Sequence, residues 1–191
     1  SSGMAQALSN IGTVYDNQNK TDSALFYYEK SIAIRNAIDD KEGVGISLCN
    51  IGGIYDKTGN DALALKYYLN ALNVQEEIDD RIGIALSNIS IGHIYFKKKQ
   101  YAVAENYFQR SMNMAVELGN LDNLRGAANF LSKVYAAQGK YKEAYNMHVR
   151  FKQLSDSISN DVNRNEAMKM QARYEFEKKE ATLKAEQDKK N

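Results

Sequence analysis

The sequence of 191 residues contains no proline, no tryptophan and a single cysteine, Cys49. Proline interrupts helices because it lacks a backbone N–H and clashes with the preceding turn, so its absence permits long helices. One cysteine cannot form an internal disulfide or build a cysteine-based zinc site. A disulfide-stapled fold is therefore excluded, and cysteine content leaves the cellular compartment open.

The chain also lacks an excess of either charge, since 25 Lys and Arg residues face 24 Asp and Glu residues. Nucleic-acid binders normally carry a basic excess, and so do proteins held electrostatically on anionic membranes. No apolar run approaches the roughly 18–20 residues that span a bilayer. We therefore expect no nucleic-acid binding and no direct membrane binding by this chain.

What the sequence does contain is a repeat with a constant interval of 40 residues. Repeats of this length are typical of helical arrays in which each unit packs on its neighbours. The matching segments are Asn10-Ile11-Gly12-x-x-Tyr15, Asn50-Ile51-Gly52-x-x-Tyr55, Ser90-Ile91-Gly92-x-x-Tyr95 and, more weakly, Phe130-Leu131-Ser132-x-x-Tyr135. Three further columns are Ala24, Ala64, Ala104 and Ala144; Tyr28, Tyr68, Phe108 and His148; and Ile38, Ile78, Leu118 and Ile158.

Each copy predicts two helices, because its apolar residues recur at steps of three and four. Thr21 and Asp61 are predicted to cap second helices. The copies are joined by breaker or cap pairs, which are Asp39-Asp40, Asp79-Asp80, Gly119-Asn120 and Ser159-Asn160. The predicted helices span residues 4–17, 21–38, 42–57, 61–78, 82–98, 101–118, 122–138 and 141–158.

Glycine recurs in the middle of the first helices, at Gly12, Gly52 and Gly92. Glycine costs about 1 kcal/mol relative to alanine in a helix interior. Its recurrence there predicts a close approach that a larger side chain would block. Tyr55 and its equivalents are large enough to fill the gap between neighbouring helix pairs.

The column order of small apolar residue, Gly, Tyr, Ala and Tyr or Phe resembles the tetratricopeptide repeat over residues 5–158. The usual repeat has 34 residues, and this chain resembles the 40-residue variants. The resemblance implies an all-α fold, a right-handed α-solenoid of four two-helix repeats at about 4–40, 41–80, 81–120 and 121–160. The fourth copy departs from the pattern with Ser132, His148 and Lys152, as a capping repeat does.

In this family the first helices line the concave face, so the resemblance implies a protein- or peptide-binding surface there. Asn10 and Asn50 would bond a peptide backbone or, alternatively, the neighbouring repeat. Asp16 and Asp56 would form a polar binding row or only solvate helix ends. Leu86, Ile89 and Phe96 would seat an apolar anchor or belong to the core. The implied lining is Gln6, Ser9, Asn10, Thr13, Asp16, Ile46, Cys49, Asn50, Gly53, Asp56, Leu86, Ile89, His93, Phe96, Gly126, Asn129 and Lys133.

The sequence offers no constellation for catalysis. The two histidines, His93 and His148, belong to different repeats, and no metal-binding spacing or phosphate-cradling glycine loop occurs. We therefore predict a non-enzymatic scaffold without metal or cofactor.

Residues 161–191 form a separate charged segment without glycine or proline. Its sparse apolar seam is Val162, Asn165, Ala172, Phe176 and Leu183. One interpretation is a solvated capping helix. The other is the start of a coiled coil, which would allow a homodimer through this helix.

The charged runs 175–180 and 184–190 resemble linkers in bacterial sensor kinases and cyclases with tetratricopeptide repeats. Two functions follow: the input region of a larger bacterial signalling protein, or a free-standing adaptor for complex assembly. The start Ser1-Ser2-Gly3-Met4 favours a fragment of a longer chain. A membrane sensor would place this region in the periplasm, and an adaptor in the cytoplasm.

Overall fold

The computed structural model describes residues 1–188, with side chains in the last helix described to residue 161 and at 168, 169 and 171. This part of the chain is all α-helical. Its helices are α1 (Ser2–Asn17), α2 (Thr21–Ala37), α3 (Lys41–Lys57), α4 (Asp61–Glu77), α5 (Arg81–Lys97), α6 (Tyr101–Leu118), α7 (Leu121–Ala137) and α8 (Tyr141–Asp188). The predicted fold class is confirmed, and α1 to α7 begin and end within about two residues of their predicted bounds.

The chain divides into two compact units, of which the first comprises Ser1–Phe151. Within it, each helix packs against the next one along the chain. The first helices of successive repeats also contact each other, α1 with α3, α3 with α5 and α5 with α7, whereas α2, α4 and α6 make no such contacts among themselves. A solenoid with this pattern has one continuous inner face, formed by α1, α3, α5 and α7.

Every turn between these helices contains one residue with a left-handed backbone. Asparagine and aspartate tolerate this conformation better than other non-glycine residues, because their short side chains bond locally. The residues are Asn19, Asp39, Gly59, Asp79, Lys99, Gly119 and Gly139.

Asp40, Asp80 and Asn120 cap α3, α5 and α7 as predicted, since each side chain accepts a hydrogen bond from the backbone N–H three residues later. The predicted caps of the second helices are wrong by one residue. Thr21 and Asp61 are the first residues of α2 and α4, whose N-caps are Lys20 and Asn60.

The predicted break at Ser159-Asn160 is also wrong, because α8 continues through both residues. The equivalent position is left-handed at Asp39, Asp79 and Gly119, whereas serine favours that conformation less. The residues that follow are rich in good helix formers and contain no glycine or proline. The seam predicted for this segment lies outside the described side chains.

The recurring glycines are confirmed as sites of close approach. A Cβ added at Gly52 or Gly92 would lie 2.8 Å from the ring of Tyr68 or Phe108 in the following helix. Tyr55 packs against the core clusters on both sides, which confirms its predicted position between helix pairs. It also stacks on Tyr67, at 5.5 Å between ring centroids.

Candidate functional site

A groove on the inner face, between α3 and α5, encloses a cavity of about 390 Å³. Small-molecule and side-chain sites begin at about 300 Å³, so the groove has room for one long side chain and adjoining backbone. The residues that line it are Glu42, Ile46, Cys49, Asn50, Tyr68, Gln75, Asp80, Ile82, Gly83, Leu86 and Ser90. We call this cavity the α3–α5 groove.

The rim of the α3–α5 groove is apolar. Ile46, Ile82 and Leu86 are each about half exposed, at 47%, 51% and 48%. Exposed apolar side chains scattered singly are ordinary, but three around one cavity form a surface that a partner can cover. Among the described residues, the Asn50 amide beside them has no hydrogen-bond partner. It is therefore available to bond a ligand's backbone.

The floor comes from side chains that are closed to solvent. Tyr68 is 6% exposed, and burial together with the Asp56 charge raises its pKa to about 12. Burial also raises the pKa of Cys49, whose Sγ lies 3.3 Å from the Ser87 hydroxyl. Both groups are therefore neutral near pH 7, and Cys49 is a poor nucleophile because the thiol form predominates.

One end of the groove is acidic. Asp80 uses one carboxylate oxygen to accept a hydrogen bond from the Gly83 N–H at 2.9 Å. Among the described residues, no cation pairs with Asp80 or with the neighbouring Glu42. The groove thus combines an apolar rim with an uncompensated negative end.

The structure brings Ile46, Cys49, Asn50 and Leu86 together in this groove, out of the residues predicted for the inner face. Gly53 lies at its edge, where an added Cβ would be 3.7 Å from the Tyr68 hydroxyl.

In the first repeat the predicted residues bond one another or the helix behind them. Gln6 donates to Asn10 at 3.0 Å, and Thr13 shares a hydrogen bond with the Tyr28 hydroxyl at 2.9 Å. Ser9 is 4% exposed. The polar atoms of this repeat are therefore already satisfied to a larger extent than Asn50.

Asp16 and Asp56 bind lysines of the next repeat. Lys57 donates to both oxygens of Asp16, at 3.0 and 2.8 Å, and Lys97 donates to Asp56 at 2.8 Å. The hydrogen bonds to Asp56 and Asp61 raise the pKa of Lys97. His93 Nδ1 lies 3.2 Å from the other oxygen of Asp56. These pairs form a ladder that connects successive first helices.

The remaining predicted residues pack at the third and fourth repeats. Ile89 contacts Gly126 of α7, and Phe96 lies against Tyr101 with ring centroids 5.6 Å apart. The Lys133 ammonium lies 5.3 Å from the centre of the Phe130 ring. Asn129 is half-buried and bonds Ser132 through its backbone carbonyl.

Sequence reasoning missed the groove residues that come from outside the inner columns. Ser90 shares the column of Asn10 and Asn50 and was within reach of the same argument. Gln75 belongs to a second helix and Asp80 to a cap, so neither lies on the predicted lining. The signal for them is the change in their repeat column, where Gln75 stands 40 residues after Arg35.

Two structural features bear on other functions. Over the described residues, no helix combines the length and apolar character needed to cross a bilayer. In the same part of the chain, no three His, Cys, Asp or Glu side chains are grouped so that they could hold a metal ion.

Comparison with known proteins identifies the repeat independently. A family model described as tetratricopeptide repeat matches residues 3–77, 43–115 and 81–150. Curated protein sequences give no match.

Several solved structures are similar to the chain. BtubC from P. vanneervenii aligns at 20% identity and a TM-score of 0.71, covering 81% of this chain and 64% of BtubC. Apo RapI aligns at 18% and 0.77, covering 83% and 58%. The Rap conjugation regulator of plasmid pLS20, in complex with the Phr* peptide, aligns at 16% and 0.74, covering 83% and 43%. The chain therefore spans less than two thirds of each, and these identities show the fold alone.

Proposed function

The chain belongs to the tetratricopeptide repeat family, and we propose that it binds a peptide, or an extended segment of a partner protein, in the α3–α5 groove. The observation that carries the proposal is the unpartnered Asn50 amide beside three half-exposed apolar side chains. An extended peptide offers both backbone donors and acceptors for the amide and side chains for the rim. This function is binding without catalysis.

Two further observations support it. The inner face is continuous, because α1, α3, α5 and α7 contact one another in turn, so a segment longer than the cavity would find surface on both sides. The pLS20 regulator, whose fold is similar, was solved with a peptide bound.

Replacing Leu86 by serine should weaken peptide binding about tenfold or more, since losing a buried leucine costs about 1.5–3 kcal/mol. The probe is a peptide enriched on the wild-type chain from a phage-displayed random library. Its affinity is measured by fluorescence anisotropy.

The matched control is Leu69→Ser on α4. Leu69 is 40% exposed and does not line the groove, so this variant should bind as the wild type does. Equal losses in both variants, or no loss with Leu86→Ser, would place the peptide elsewhere on the chain.

We propose further that this module is the input region of a larger bacterial signalling protein, in which α8 transmits binding to a domain beyond it. The support is that α8 extends without interruption from the fourth repeat to Asp188. Ligand binding would alter the curvature of the repeats, because small rotations between neighbours accumulate along a solenoid. The second candidate, a free-standing adaptor, is favoured by the near-neutral charge and the absence of any catalytic constellation in the sequence.

Deleting residues 161–191 separates these two functions. If the coding sequence continues past Asn191 into a kinase or cyclase domain, the deletion in that full-length protein should abolish the response of its activity to the peptide. Peptide affinity should stay within about twofold, because the groove lies within residues 42–90. A stop codon directly after Asn191, or a response that survives the deletion, would leave the adaptor.

A further inference from the structure

The α3–α5 groove has a counterpart one repeat earlier, and that counterpart is filled by the chain itself. Subtracting 40 from Gln75, Asp80 and Gly83 gives Arg35, Asp40 and Gly43. In both places an aspartate caps the next first helix, and a glycine follows three residues later. The two sites therefore differ mainly in the side chain supplied by the second helix.

Between the first and second repeats, the Arg35 guanidinium occupies this space. It forms an ion pair with Asp40 and donates to Gln6 Oε1 at 2.8 Å and to Ser31 Oγ at 3.1 Å. Arg35 is only 5% exposed. An added Cβ at Gly43 would lie 1.6 Å from the guanidinium, so the glycine is what makes room for it.

Between the second and third repeats, the arginine is replaced by Gln75. This shorter side chain turns to the Ser87 hydroxyl, at 2.6 Å, and to Cys49. Asp80 is left without an ion pair among the described residues. The carboxylate and the glycine thus recur, but the cation does not, and the space it would use opens into the α3–α5 groove.

We propose that the α3–α5 groove recognises its peptide through an arginine side chain whose guanidinium pairs with Asp80. The proposal rests on the peptide-binding function above and names the ligand's anchor. The arginine of the ligand would enter from the inner face and make with Asp80 the pair that Arg35 makes with Asp40. Glu42 adds a second negative charge at the same end.

The apolar rim favours arginine over a small cation. The guanidinium is weakly hydrated and planar, and it pairs with a carboxylate through two parallel N–H donors. Its three-carbon stem can lie on apolar surface while the head is paired. Ile46, Ile82 and Leu86 offer that surface between solvent and Asp80.

The first test is a panning experiment with a phage-displayed random peptide library on three forms of the 191-residue chain. Wild type should enrich peptides that contain arginine. Asp80→Asn should lose this enrichment while keeping the cap, because Asn120 caps α7 in the same way. Gln75→Arg should enrich few peptides, since its own side chain would fill the space as Arg35 does.

The second test measures affinities with the peptide that wild type enriches most. Replacing its arginine by citrulline, which keeps the shape and removes the charge, should weaken binding about 10- to 100-fold, as expected for a hydrogen-bonded charge pair. Lysine should weaken it less than citrulline does. Asp80→Asn should weaken the arginine peptide to a similar extent and leave the citrulline peptide almost unchanged.

The matched control is Asp79→Asn, one residue before the groove. Asp79 is exposed and has a left-handed backbone that asparagine tolerates, so this variant should bind as wild type does. Circular dichroism melting of each variant establishes that it is folded.

Three results would overturn the proposal. Wild-type binders without arginine, or an arginine preference that persists in Asp80→Asn, would reject the anchor while leaving peptide binding intact. Failure of wild type to enrich any peptide would remove the anchor and the proposed function together.

Discussion

Replacing Phe108 by alanine should lower the free energy of unfolding by about 3–5 kcal/mol, the range for large-to-small changes in a packed core. The Phe108 side chain is fully buried. Its ring stacks on Phe130 of α7, at 4.9 Å and 4° between planes, and also closes on Gly92 of α5. The substitution therefore empties a site that connects α6 to two first helices at once.

Neighbouring side chains can fill only part of this cavity. Gly92 has no side chain to extend into it, and Phe130 is held on its other faces by His93 and Lys133. Interiors are packed as densely as organic crystals, so a void of this size loses contacts along its whole lining. The expected loss is therefore at the upper part of the range.

The control for this prediction is Phe26→Ala on α2. Phe26 is 53% exposed and contacts mainly Tyr27 and Lys30 of its own helix, so its loss should cost less than about 1 kcal/mol. Urea denaturation followed by circular dichroism gives both values. Equal shifts in the two variants would contradict the packing described for Phe108.

The helices and turns of the first unit could be predicted because each repeat states the same information again. An apolar stripe such as Leu48, Ile51 and Tyr55 is ambiguous once, but its recurrence at one interval fixes the period. The end of the last helix could not be predicted in this way. Ser159 occupies a turn column, yet no further repeat follows in the described chain to fold back against it, and local helix propensity decides.

The inner face was predicted as a set of columns, and its chemistry depends on contacts that columns do not contain. Asp16 and Asp56 are visible in the sequence as a row of carboxylates. Whether that row is free depends on Lys57 and Lys97, which reach back across the repeat boundary. The reach of a flexible side chain across two helices is a property of the folded array.

The α3–α5 groove shows the same limit. Asn50 and Leu86 were predicted for it from their columns, whereas Asp80 was assigned only a capping role. Its second role follows from the exchange of Arg35 for Gln75. The exchange is visible in the sequence, but the space that it opens depends on where Gln75 turns, and that is set by Ser87 and Cys49.

Replacing Arg35 by glutamine should destabilise the chain by about 3 kcal/mol, the lower end of the cost of breaking a buried ion pair. The Arg35 side chain is 6% exposed and that of Asp40 is 24% exposed. The substitution would leave the Asp40 carboxylate without its cation in a partly desolvated position. It would also leave Gln6 Oε1 without the donor at 2.8 Å that it now has.

A double-mutant cycle with Asp40→Asn tests the cause of this loss. Asparagine keeps the cap on Gly43 and removes the charge, so the double variant should be more stable than the sum of the two single losses predicts, by about 1 kcal/mol or more. Additive losses in urea denaturation would mean that Arg35 contributes by packing alone.

The Arg35→Gln variant should also acquire a second peptide site. With the guanidinium removed, Asp40, Gly43 and Ile46 would surround an opening equivalent to that around Asp80, Gly83 and Leu86. Isothermal titration with the arginine peptide should then give a stoichiometry that rises from one to two, and Asp40→Asn in the same chain should return it to one. A stoichiometry that stays at one in a folded Arg35→Gln variant would mean that the missing arginine is not what makes the α3–α5 groove a site. The rim would then be decisive, because Ile46 and Ile82 border the existing groove where the earlier repeat has Gln6 and Glu42.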